Sequence, residues 1–83
     1  MQYDKQLIHC DAEDRVLEIE SLVLDDGLVV SMKTSRSGNF QPFAELRQEL
    51  EKEGWSIELA GVIHLGKAHQ PANSYAATRP ISQ

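Results

Sequence analysis

Apolar and polar residues alternate along residues 16–24, VLEIESLVL, with the period of a half-buried β-strand. After the turn residues Asp-Asp-Gly, a second run of strand-forming residues, LVVSMKT, begins at Leu28. An Asp-Gly pair between two such runs is a strong short-range signal of a β-hairpin. A sparser pattern over residues 3–10, followed by the turn cluster DAEDR, predicts another strand before them. The N-terminal half therefore predicts three strands.

The spacing of apolar residues changes to that of a helix after Pro42. Phe43, Leu46 and Leu50 form an apolar stripe, while glutamates occupy most of the other side. Pro42 suits the first helical position, where its missing N–H has no intrahelical partner to lose. Gly54 suits the left-handed residue that ends a helix. The pattern predicts one helix between these two residues.

Alternation resumes over residues 55–65, WSIELAGVIHL, and predicts a strand in which Gly61 marks a bulge or a close backbone approach. Residues 66–74 are interpreted as a loop, and residues 79–83 as a flexible tail that follows a short final edge strand. The element order β-β-β-α-β, with this last strand optional, predicts a single α+β domain over residues 1–83. In it, an antiparallel sheet of four to five strands carries one helix on one face.

One helix covers only one face of such a sheet and leaves the other open to water. Several positions on the second face are apolar, and burying them on association would contribute about 25 cal/mol per Å² before ordering costs. We expect self-association through this face, or edge to edge through the terminal strands. The alternative is that the C-terminal segment folds back over the face. The predicted interaction surface consists of Val16, Leu22, Leu24, Val29, Ala60 and Val62.

The chain is acidic, with eight basic and thirteen acidic residues and a formal net charge of −5. Nucleic acid is therefore not an expected partner, because clustered Lys and Arg must displace counterions from phosphates. Residues 1–31 carry eight acids against two bases, which suits electrostatic steering of a basic protein partner. A solvated acidic surface is the simpler interpretation of the same pattern.

A basic, hydroxyl-rich stretch, KTSRSGN at residues 33–39, precedes the helix. Two interpretations remain open: a polar strand-to-helix connection, or an anion site near the positive end of the helix dipole. No phosphate-loop or dinucleotide-binding spacing is present. The second functional hypothesis is thus a small anion- or nucleic-acid-binding regulator that uses this loop together with Lys67 and Arg79. Its candidate ligands are Lys33, Ser35, Arg36 and Ser37.

The pattern provides no motif for catalysis or for a structural metal. Cys10 is the single cysteine, so no internal disulfide can form, and the three histidines lack the close ligand pairs of zinc sites. We expect no catalytic residues, no metal and no cofactor. We also expect no membrane span and a cytoplasmic location, since no signal-peptide pattern or long apolar run is present. The sequence favours a small acidic, non-enzymatic protein-interaction domain of the inhibitor, immunity or adaptor kind, acting as a homodimer.

Overall fold

The computed structural model describes residues 1–65 and 70–81, including their side chains except at 63–65 and 70. No helix within this part of the chain is long and apolar enough to cross a membrane. The elements in chain order are β1 (Gln2–Cys10), β2 (Val16–Asp25), β3 (Leu28–Arg36), α1 (Phe43–Lys52), β4 (Ser56–Leu65) and β5 (Gln70–Pro80).

The five strands form one antiparallel sheet in the order β3-β2-β1-β5-β4, which confirms the predicted α+β class. β3 and β4 are its two edges. The predicted hairpin joins β2 and β3 through Asp26 and Gly27, whose φ angles of 50° and 86° are both positive. Positive φ at both central residues defines the turn type that matches the natural twist of a hairpin.

Helix α1 connects the two edge strands and packs on one face of the sheet. Phe43 at its start and Leu50 near its end are buried in a core that Ile8 of β1 shares. Gly54, with φ of 89°, ends the helix as predicted. The N–H of Trp55 donates to the carbonyl of Leu50 at 3.0 Å, and this bond closes the last turn and carries the indole into the same core.

The last strand differs from the sequence-based prediction. Residues 70–74 belong to β5 and are not a loop, and β5 lies between β1 and β4 rather than at an edge. The first half of β5 has few strong β-formers, and its small buried side chains, Ala72 and Ser74, fit between the two neighbouring strands. The predicted tail is also partly wrong, because β5 extends to Pro80. Residues 66–69 of the predicted loop and 82–83 of the predicted tail lie outside the described residues.

Within the described strands, three β-bulges interrupt the strict alternation of faces. The pairing skips Leu17 in β2, Val30 in β3 and Ala60 in β4. Gly61, with φ of 146°, follows the third of these and confirms the bulge predicted there. Side chains on the two sides of each extra residue therefore project from faces opposite to those that strict alternation would predict for them relative to one another.

Candidate functional site

The face of the sheet opposite α1 is here termed the open face, and one end of it is apolar. Residues that pair directly across antiparallel strands project from the same face. Leu24 of β2 pairs with Val29 of β3, and Leu22 pairs with Met32. These four side chains form what we term the apolar corner. Leu24 is buried and Leu22 is half-buried, whereas the β3 residues are exposed.

The β3 strand forms the outer boundary of this corner and is exposed at all nine of its positions. Four of its side chains are large and apolar: Leu28, Val29, Val30 and Met32 are 73%, 55%, 57% and 68% exposed. We term strand β3, with these four exposed side chains, the β3 edge. Exposed edge strands present unpaired backbone groups as well as side chains, and proteins normally protect them.

The C-terminal segment does not cover the open face within the residues described. β5 enters the sheet between β1 and β4, and the N–H of Ile81 beyond it donates to the carbonyl of Gln2 at 3.2 Å. The chain therefore ends its described part beside β1. The sequence left open whether the C-terminal segment folds back over this face, and the described residues do not do so.

The structure gathers three of the six predicted surface residues, Leu22, Leu24 and Val29, at the apolar corner. Val16 does not belong to this surface, because it is 1% exposed and packs in the core with Phe43. The bulge at Leu17 explains the difference, since it places Val16 on the helix-covered face while Leu22 stays on the open face.

Ala60 and Val62 also lie apart from the apolar corner. Both are exposed, but they belong to β4, the opposite edge of the sheet. Val62 pairs with Asn73, which lies on the helix-covered face. A contiguous surface of all six residues is therefore not formed. The exposed apolar residues Leu28, Val30 and Met32 were missed, although their adjacency to the Asp-Gly turn could have indicated an edge.

The candidate anion ligands are not brought together either. Residues 33–36 continue β3 and are not a loop, so their side chains alternate between faces. Lys33 and Ser35 project on the side of α1, whereas Arg36 pairs with Glu18 on the open face, with Nε 3.9 Å from its carboxylate. Ser37 follows the strand and donates its hydroxyl to Asn39 at 2.9 Å.

The other two residues of the proposed basic edge do not complete it in the described structure. Arg79 stacks over the Trp55 ring at 4.6 Å and lies 3.4 Å from the Asp4 carboxylate. Lys67 lies outside the described residues. The guanidinium of Arg79 is therefore engaged in packing and ion pairing on the helix-covered side.

Cys10 is fully buried in the core. Burial raises the pKa of its thiol to about 12, and the nearby carboxylates of Asp14 and Asp11 add to the shift. The thiol is therefore protonated at neutral pH and is shielded from reagents.

Comparisons with protein-family models, curated proteins and solved structures found no significant match to this chain.

Proposed function

We propose that the protein is a small, acidic, non-enzymatic protein-interaction domain that forms a homodimer through the β3 edge. The observation that carries this proposal is the exposure of all nine residues of β3, including four large apolar side chains. Exposed apolar patches of this kind mark association surfaces. A second copy of the chain is the occupant that best fits the strand.

The apolar half of β3 is complementary to itself. In an antiparallel pairing centred on Val30, residues 28–32 of the two copies lie side by side, so the apolar segment of each edge lies against that of the other. Lys33 and Arg36 then lie beyond the paired segment, which keeps like charges apart. Such two-fold pairing gives a closed dimer rather than an open chain of copies.

The gain in free energy is of the size that a dimer needs. Complete burial of a Val, Leu or Met side chain contributes about 1.5–3 kcal/mol. Four side chains, each roughly two-thirds exposed, would contribute at most about 4–8 kcal/mol per copy, and twice that per dimer, if pairing buried them completely. Association costs about 4–15 kcal/mol in lost freedom of motion. We therefore expect a dimer whose population depends on protein concentration.

Sedimentation equilibrium with matched variants tests the proposal. The double variant Leu28→Lys/Met32→Lys places two charges on the β3 edge. The control, Leu59→Lys/Val62→Lys, makes the same change at two β4 residues that are 64% and 63% exposed. We expect the unmodified chain and the control to approach twice the monomer mass as concentration rises, and the β3 variant to remain a folded monomer.

A monomer at every concentration of the unmodified chain would refute the proposal, as would equal behaviour of the two variants. The acidic surface, with a net charge of −5, supports a basic second protein as the target of the dimer. In this proposal the domain acts in the cytoplasm as an inhibitor, immunity protein or adaptor. The lone cysteine with its protonated thiol is compatible with a reducing compartment.

A further inference from the structure

A histidine and two glutamates converge on the open face, at the end opposite the apolar corner. His9 of β1 pairs directly with Glu18 of β2, and Glu20 lies two residues further along the same face. One potential ligand atom from each of the three side chains lies within 4.8 Å of those of the other two. This placement depends on the strand register, because His9 and the glutamates are separated by a turn in the sequence.

The His9 ring is fixed by its surroundings. The residue is only 5% exposed, and its Nδ1 is hydrogen-bonded to the Ser74 hydroxyl at 2.7 Å. This contact turns Nε2 toward the glutamates, where it lies 3.5 Å from Oε2 of Glu20. That distance is long for an N–H···O bond. Histidines that bind metals typically have their second ring nitrogen held in this way.

The separation of His9 Nε2 from the Glu20 carboxylate matches that between two ligands of one small cation. A tetrahedral zinc ion with bonds of about 2.0–2.1 Å holds its ligand atoms roughly 3.3–3.5 Å apart. The separation of 3.5 Å between His9 Nε2 and the Glu20 carboxylate falls at this value. Three protein ligands would leave the fourth position of the ion to water, on the side from which the partly exposed glutamates are reached.

The charges of the site also favour a cation. Glu18 and Glu20 project side by side, and like charges at this spacing repel each other. Arg36 offsets them weakly, since its side chain is 90% exposed and its Nε lies 3.9 Å from Glu18. One imidazole with two carboxylates suits a divalent transition metal better than Mg²⁺ or Ca²⁺, which prefer oxygen ligands alone.

We propose that His9 Nε2 and the carboxylates of Glu18 and Glu20 bind one divalent transition-metal ion of the zinc type. Binding through Nε2 requires the proton on Nδ1, which then donates to the Ser74 hydroxyl. Ser74 is a positioning residue that fixes the tautomer and the ring orientation. None of the three ligands belongs to the β3 edge, so metal binding and dimerisation can be tested independently of each other.

Calorimetric titration of the metal-stripped full chain with Zn²⁺ tests the proposal, with Co²⁺ absorption as the second measurement. We expect one ion per chain, a raised unfolding temperature and visible Co²⁺ bands of a four-coordinate site. Glu18→Gln/Glu20→Gln should abolish these effects without replacing the buried histidine. Ser74→Ala should weaken affinity by about 10–100-fold.

The matched control is Glu45→Gln/Glu49→Gln, which removes the same charge from two exposed positions of α1. It should bind zinc as the unmodified chain does. The proposal is overturned if saturating Zn²⁺ produces neither heat nor a shift in unfolding temperature, or if the control loses binding to the same extent as Glu18→Gln/Glu20→Gln. An equal response to Mg²⁺ would also overturn it, because it would show general charge screening.

Discussion

Replacement of Phe43 by leucine tests how strongly the helix is held to the sheet. The Phe43 ring stacks on Tyr75 with centroids 3.8 Å apart and planes inclined by 13°, and Phe43 is only 4% exposed. Such aromatic pairs contribute about 0.5–1.5 kcal/mol beyond the area they bury. The replacement also removes packing contacts from a tight core. We therefore expect the free energy of unfolding to fall by about 1.5–3 kcal/mol.

Urea unfolding followed by the fluorescence of Trp55 measures this loss directly. Trp55 is the single tryptophan of the chain and lies in the same core cluster as Phe43. Phe40→Leu is the matched control, because Phe40 is 50% exposed, and its effect should stay within about 0.5 kcal/mol. The free energy of unfolding of a domain of this size is roughly 4–12 kcal/mol, so the Phe43 variant should remain folded. Equal midpoints for the two variants would refute the packing described here.

Two further predictions concern the first turn and the buried thiol. Asp11 accepts hydrogen bonds from the N–H groups of Arg15 and Glu13, both at 2.9 Å, and the bond from Arg15 is the largest of the causes that hold its pKa below the ordinary value of 3.8. The pKa of Asp11 is therefore lower in the folded chain than in the unfolded chain. The carboxylate stabilises the fold fully when the pH is above the unfolded pKa, and this stabilisation is lost as the pH falls through the folded pKa. The difference in unfolding temperature between the unmodified chain and Asp11→Ala should therefore shrink in acid, and a constant difference would contradict this. Cys10, with a pKa of about 12, should react with iodoacetamide at mildly alkaline pH only after unfolding in urea, and rapid labelling of the folded chain would contradict its burial.

The features of the fold that have local causes could be predicted from the sequence. The Asp-Gly turn, the helix from Phe43 and its end at Gly54 each follow from residues within a few positions of one another. The strand β5 could not be predicted in this way. Its first half, QPANS, has few strand-forming side chains, and its pairing with β1 and β4 depends on residues distant in sequence.

The surface was harder to predict than the fold, because each bulge changes which face a side chain occupies. Strict alternation groups Val16 with Leu22, whereas the extra residue Leu17 places the first in the core and the second on the open face. Convergence of His9 with Glu18 likewise depends on the register of β1 against β2. The short turn between these strands limits that register, but the bulge within it is not encoded by a recognisable local motif.

Amide hydrogen exchange at low and high protein concentration tests the central claim, that the β3 edge joins two copies of the chain. If it does, the backbone amides of residues 28–32 that point away from β2 should become more protected as concentration rises, because pairing with a second copy removes them from water. The amides of residues 56–62 on the opposite edge should exchange at the same rate throughout. Exchange in β3 that does not depend on concentration, over a range reaching the highest attainable, would contradict the claim.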